Sequence, residues 1–259
     1  MSNTNPSISN FAILAAGGRG MQTGLVTLGN RPTASYTLKT MQKHPMIEGI
    51  VLVRNKEDDR KFNNIIEGYG ISKLIAVVDS GKVRRQSMFN GLSKVPPCDV
   101  VLFHQVTNPL VTSAEITRVI NAAREHGAAA VGRPVKDTIK IAVASDHSVI
   151  KTIHRSEPYI RSDIEALCMP NRKVEIELYQ TEVPQAMQYQ LAKDAYKAAV
   201  EDGARFTDDV QVVENRSTNV TIVPASPWNI RMAADSDLIV LGAFLLNWEQ
   251  AESAQKDSA

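Results

Sequence analysis

The 259-residue chain has only two cysteines, Cys98 and Cys168, too few for a disulfide framework, and no Cys or His spacing that would enclose a zinc ion. Both are read as free thiols, and the five histidines as core or surface side chains. Charge of one sign is missing as well. The 29 basic and 28 acidic residues leave a formal +1. Without a basic surplus the chain lacks the means by which proteins track a nucleic-acid backbone, so no nucleic-acid partner is expected. Room remains for a local anion site. Long apolar runs are also absent: Leu238 to Leu246 is far shorter than the roughly 20 residues a membrane helix needs, so no membrane association is expected. The first ten residues carry neither charge nor an apolar stretch, which makes the cytoplasm the expected location. What is present is an ordinary globular balance, 43% hydrophobic to 22% charged, which excludes disorder.

Periodicity predicts alternating strands and helices. Phe11–Ala16 reads as a buried strand ending in Gly17 and Gly18, and Tyr36–Lys43 as a helix. Strands follow at Gly49–Arg54, Leu74–Val78, Asp99–Phe103 and Ala128–Val131, with helices at Asp59–Gly68 and Arg84–Lys94 between them. Thr112, with Glu115 three residues later, forms a capping pair that opens a helix to about His126. Strands joined by helical crossovers give a mainly parallel sheet covered on both faces, with ligands at its carboxyl edge. Beyond Val135 the pattern changes. Thr138–Ala142 and Val149–Ile153 read as a strand pair, Ser156–Glu177 as a polar stretch, and Pro184–Asp202 as a helix. A strand at Val220–Val223 and a helix from about Ser236 to Glu252 complete the chain, which is expected to form a single α/β domain over 1–259 with an arm at about 138–185.

AILAAGGRGM, Ala12 to Met21, carries the first chemical signal: glycines straight after a buried strand turn backbone N–H groups toward a phosphate, and Arg19 adds charge. A plain tight turn explains the same residues, and the spacing matches neither the dinucleotide fingerprint nor the P-loop. Further motifs narrow the choice. VDSGKVRRQSMFNGL (Val78 to Leu92), VLFHQVTNPLV (Val101 to Val111), RPVKDTIK (Arg133 to Lys140), TIHR (Thr152 to Arg155), QTEVPQAM (Gln180 to Met187), TDDVQVVE (Thr207 to Glu214) and NIRMAADSDL (Asn229 to Leu238) follow in order. In that order, over about Ala12 to Leu246, the chain resembles the 2-C-methyl-D-erythritol 4-phosphate cytidylyltransferase family, which includes the ribitol 5-phosphate cytidylyltransferases.

The resemblance implies a Rossmann-like nucleotide-diphospho-sugar transferase fold with an extended dimerisation arm, and a homodimer. It implies transfer of CMP from CTP, or another nucleoside triphosphate, to a sugar or polyol phosphate or phosphonate, with pyrophosphate released, magnesium (Mg²⁺) bridging the phosphates, and a place in isoprenoid biosynthesis. By position, Ala15, Ala16, Gly17, Gly18 and Arg19 face the triphosphate, and Gly81, Arg84 and Ser87 the base. Thr138, Lys140, Arg155 and Thr181 belong to the arm that reads the acceptor, and Arg231 takes the place of a catalytic lysine. Arg19 and Arg231 are thus the expected catalytic pair, and no side chain is assigned to the metal. Arg84 and Arg155 also suit solvated positions, and Ser87 a helix-face hydroxyl.

The chain departs from the family pattern at several of these positions. The loop is shortened to GGRGMQTGLVTLGN, the P-K-Q element with its phosphate-contacting lysine is missing, and Arg31 is the nearby cation able to replace it in part. HQVTNP, His104 to Pro109, puts Gln105 where an acid stands and Asn108 where an arginine stands. Ser80 takes a glycine position, and Lys82 one that is often acidic. Phosphoryl transfer depends on positioned charge, so two readings stay open: a cytidylyltransferase with altered specificity, or a catalytically impaired paralogue that binds nucleotide or serves as a regulatory or partner subunit. A third takes the mixed charges of Ser156–Glu177 as a solvated interaction arm.

Overall fold

The computed structural model describes residues 9–142, 145, 148–153, 178–214 and 218–254. They fall into two compact units, 1–131 with 182–259, and 132–181. The second unit therefore opens six residues before the expected arm and closes four before its end.

In the first unit β1 (Asn10–Ala16), β4 (Gly49–Arg54), β5 (Leu74–Asp79) and β6 (Val100–Gln105) stand where apolar runs predict strands, with α1 (Thr33–Lys43), α2 (Asp59–Gly68), α3 (Arg84–Leu92) and α4 (Ser113–His126) as crossovers. Between β1 and α1 lie the two-residue strands β2 (Thr27–Leu28) and β3 (Arg31–Pro32), paired antiparallel as a hairpin. β7 (Ala128–Pro134), β10 (Tyr179–Gln188) and β11 (Val220–Pro224) complete a seven-stranded sheet in the order β11-β7-β10-β6-β1-β4-β5. β1 runs parallel to both β4 and β6, β4 parallel to β5, and β10 antiparallel to β6.

β10 corrects the expected helix Pro184–Asp202. Its residues Val183–Met187 are all buried, and only from Tyr189 does the chain turn helical, as α5 (Tyr189–Glu201). A strand covered on both faces has no polar–apolar alternation to betray it, and such a run is easily mistaken for a helix. The short α6 (Gln211–Glu214) and the long α7 (Asp235–Ala254) finish the unit.

Successive β1 side chains point to opposite faces, which sets up two cores. Ala12, Leu14 and Ala16 pack with α1, α2 and α4, while Phe11 and Ile13 pack with α3, α5 and α6. On the second face Tyr196 stacks on Phe103, with centroids 5.5 Å apart. A third cluster joins Leu28 of the hairpin, Tyr36 of α1 and Leu241 and Trp248 of α7. Trp248 anchors it by donating Nε1–H to the Val111 carbonyl at 3.2 Å. In the second unit β8 (Ile139–Ala142) and β9 (Val149–Ile153) pair antiparallel, as the sequence predicts, with Lys140 opposite Thr152.

His104 on β6 is fully buried, with Nε2 at 3.1 Å from the Asn108 carbonyl and Nδ1 lacking a hydrogen-bond partner among the described residues. The Nε2–H tautomer satisfies that carbonyl. Burial pushes the imidazole pKa from the ordinary 6.5 down to about 4. Between those values the unfolded chain binds a proton that the folded chain refuses, so stability is full above pH 6.5 and falls as the pH drops toward 4. The loss should reach about 3 kcal/mol, the worth of the shift. Burial lowers His44 in the same direction. Urea unfolding at a series of pH values should show this slope, and a flatter one in His104→Leu; equal slopes would refute the assignment.

Candidate active site

The parallel register brings Ala15 level with Val53 of β4 and with Gln105 of β6, so three strands end together at one edge of the sheet. At this edge lies a cavity of about 240 Å³. Gly17 and Gly18 line it from the β1 exit, and Gly81, Lys82 and Val83 from the β5 exit. Arg84, Ser87 and Met88 contribute from the first turns of α3, Gln105 from the end of β6, and Arg231 from the segment before α7. A crevice at the carboxyl ends of β1 and β6, where crossovers depart in opposite directions, is where open α/β sheets bind ligands.

Gly17 fits because it has no side chain: a Cβ there would come within 2.4 Å of the Ser80 Cβ. Ser80 is the residue that replaces a family glycine, and its hydroxyl has a use. It donates to Asn55 Oδ1 at 2.7 Å, and Asn55 Nδ2 donates to the Gly18 carbonyl at 2.7 Å, which ties the β5 exit to the glycine turn. Asn55 did not stand out in the sequence, and Ser80 did so only as a departure from the family pattern. Asn55→Ala should raise the nucleotide KM about three- to tenfold, the worth of one net hydrogen bond, with little change in melting temperature. An unchanged KM would show that the tie does not hold the turn.

Of the expected base-side residues, Gly81 and Ser87 sit together. The Ser87 hydroxyl accepts the Gly81 N–H at 2.9 Å and lies 3.3 Å from the Val83 carbonyl, which folds the loop back onto α3. Arg84 lines the cavity, but its charge is committed. It is ion-paired with buried Asp209, donating Nε–H to Oδ1 at 3.2 Å and Nη2–H to Oδ2. Burial works against the guanidinium, yet Asp209 outweighs it and holds the Arg84 pKa above its ordinary range.

Arg19 lies off this cavity. It is exposed and lines an adjoining, more open hollow of about 470 Å³, together with Asn55, Glu57, Asp58 and Lys61; the two hollows share Gly18. Ala15 is on the cavity wall, whereas Ala16 is buried in the first core. Arg231 is exposed on the wall, and neither it nor Lys82 forms an ion pair with any described residue. Thr138, Lys140 and Thr181 are exposed on the second unit, and Arg155 lies outside the described residues.

Arg31, the cation named as a partial replacement for the missing lysine, lines neither hollow. It pairs with Glu249 of α7 at 3.5 Å and lies 5.2 Å over the Tyr36 ring. The shortened loop is a folded hairpin: Gly24, at φ +72°, lies where a Cβ would meet Val106 at 2.5 Å, and its carbonyl accepts from the Thr33 hydroxyl at 2.7 Å. Asn108 is likewise structural, buried and donating to Asn229 Oδ1 at 3.0 Å.

Among the described residues that line the cavity none is a carboxylate. Magnesium favours oxygen ligands, usually one or two carboxylates beside the substrate phosphates, and this wall offers only the Gln105 amide, a Ser87 hydroxyl already engaged, and backbone oxygens. Among the described residues no group of three or more His, Cys, Asp and Glu side chains is placed to hold a metal. The donor set does not fit a metal held by side chains at this edge.

A mainly parallel sheet with a glycine-lined, cationic cavity at its carboxyl edge defines the Rossmann-like nucleotidyltransferase class. The chain belongs to the 2-C-methyl-D-erythritol 4-phosphate cytidylyltransferase family, whose model matches residues 11–162 and 165–247. It is 32% identical over 238 residues to a 2-C-methyl-D-erythritol 4-phosphate cytidylyltransferase of Clostridium botulinum, covering 89% of this chain and 95% of the relative. It is also 32% identical over 242 residues to a bifunctional enzyme, IspD/IspF, of Desulforudis audaxviator, covering 91% of this chain but only 56% of the longer protein. A crystal structure of 4-diphosphocytidyl-2C-methyl-D-erythritol synthase from Anaerococcus prevotii resembles it with a TM-score of 0.75 at 27% identity, covering 92% of this chain and 96% of that one. Among the described residues no helix is long and apolar enough to cross a membrane.

Proposed function

We propose that the chain is a cytidylyltransferase of isoprenoid biosynthesis that transfers CMP from CTP to the phosphate of 2-C-methyl-D-erythritol 4-phosphate or a close polyol phosphate. An acceptor phosphate oxygen attacks the α-phosphorus of CTP; a new P–O bond forms, the bond to the β-phosphate bridge breaks, and pyrophosphate leaves. The observation that carries this reading is the cavity at the carboxyl edge, where Gly17, Gly18 and Gly81 permit close approach and Lys82 and Arg231 present charge that no described acid neutralises. A nucleotide-binding paralogue would keep the same cations; what favours the active reading over the impaired one is that the family model and the relatives matching along most of the chain are cytidylyltransferases. Positive groups fixed before the reaction stabilise the charge that builds on the transferring phosphoryl oxygens. Thr138, Lys140, Arg155 and Thr181 are the residues proposed to read the acceptor, in a homodimer working in the cytoplasm.

Pyrophosphate release with each nucleoside triphosphate and a panel of polyol phosphates tests the proposal. Activity is expected with CTP, and Arg231→Ala should lower kcat/KM at least about tenfold without moving the melting temperature, since the side chain is exposed. No release with any acceptor, while CTP still raises the melting temperature, would favour the impaired paralogue. Sedimentation equilibrium tests the dimer.

A further inference from the structure

We infer that Lys82 and Arg231 together hold the phosphates of the bound nucleotide, and that they do so without a divalent ion ligated by side chains of the cavity. The inference rests on the cavity being the nucleotide site. It begins from where the structure puts the cations. Arg19 lines the neighbouring hollow rather than this wall, and Arg84 is spent on Asp209. Arg31 lines neither hollow and lies against Glu249 and the Tyr36 ring. Lys82, which the sequence marked only as a departure from the pattern, stands on the wall itself, beside the glycine exits and with no described acid as partner.

The neutral residue on the same wall complements it. Gln105 stands where an acid is expected, so no carboxylate among the described lining residues draws Lys82 into an ion pair or holds a cation. With Arg84 offset by Asp209, the described wall keeps two uncompensated positive groups and no negative one. A triphosphate entering such a site meets fixed ammonium and guanidinium donors, a point charge and a fork, both suited to phosphate oxygens. Two cations on a wall with no described carboxylate repel a free divalent ion and take its place on the phosphates, so binding needs no metal.

Nucleotide titration of the intact protein by calorimetry, with CTP as the probe, in excess magnesium and in chelator, tests this directly. The dissociation constant in chelator should lie within about threefold of that in magnesium. Lys82→Gln should weaken binding about tenfold or more in both buffers, the worth of a charge-assisted hydrogen bond, and Arg19→Gln should weaken it less. Gln105→Asp should create a magnesium dependence that the native chain lacks. Lys82 is exposed, so the folded state of Lys82→Gln can be verified by an unchanged melting temperature. Binding that disappears in chelator would overturn the inference, and so would a Lys82→Gln protein that binds as the native one does. If binding needs magnesium and also fails in Asp58→Asn, the metal is held in the neighbouring hollow and the inference is wrong. No CTP binding in either buffer removes the nucleotide site itself, and this inference with it.

Discussion

Asp209→Ala should cost about 2–3 kcal/mol of stability, because it strands the buried Tyr196 hydroxyl and frees the partly exposed Arg84. The carboxylate is 1% exposed, pairs with Arg84 and accepts the Tyr196 hydroxyl at 2.7 Å. Burial raises the Tyr196 pKa, and Asp209 pushes it further in the same direction, so the phenol keeps its proton and stays a donor. Alanine removes the shared acceptor of both donors. For a chain of this size the melting temperature should fall on the order of 10 °C. The Asp209 backbone N–H donates to Gln185 Oε1 at 2.8 Å, which is unaffected by the substitution, so the loss belongs to the side chain. Replacing both partners, as Arg84→Met with Asp209→Leu, should recover the part of the loss that belongs to the guanidinium and leave the cost of the unpaired Tyr196 hydroxyl. The KM for CTP should rise in the single variant, where a released Arg84 is free to enter the cavity it lines. A melting temperature within about 2 °C of the native value would mean that the pair contributes no net stability.

The Arg84–Asp209 pair also marks the limit of what could be read beforehand. Local features were legible: Gly49–Arg54 and Asp59–Gly68 are observed with the bounds that periodicity predicts, because an apolar run between turn residues and an amphipathic stretch are each decided within a few residues. The glycine exit of β1 was legible as a turn for the same reason, and it lines the cavity. Contacts between distant positions were not. Arg84 and Asp209 are 125 positions apart, and nothing in either neighbourhood announces that the arginine's charge is taken. Arg19 and Arg31 lie next to the glycine turn in sequence, but the β2–β3 hairpin, held by α7 from the far end of the chain, sends Arg31 to Glu249. Lys82 gains its meaning only when the wall is assembled and no acid is found among its described residues.

Glu115 shows the same contrast within one side chain, and it supports the second large prediction. Its capping pair with Thr112 was legible: Oε2 accepts the Thr112 N–H at 3.0 Å, and the Thr112 hydroxyl donates to it at 2.9 Å. The other oxygen reaches across the fold, accepting Ser226 N–H at 2.6 Å and Asn229 Nδ2–H at 3.1 Å. Asn229 in turn donates to the Val183 carbonyl at 2.6 Å, and Met232 N–H donates to the Thr107 carbonyl at 2.8 Å. Arg231 therefore sits between two pinned neighbours. Glu115→Ala leaves the buried Ser226 N–H without its acceptor and removes one of the acceptors of Asn229, an expected cost of about 2–4 kcal/mol when the lost cap is included. It also frees the segment that carries Arg231, and if Arg231 acts on the phosphates as proposed, its misplacement should cost on the order of 100-fold in kcat/KM. Thr112→Ala separates the two effects, because it removes the cap and leaves the second oxygen in place. That variant should lose only about 1 kcal/mol and keep its activity. Equal kinetic losses in the two variants would assign the effect to α4 and not to the segment that carries Arg231.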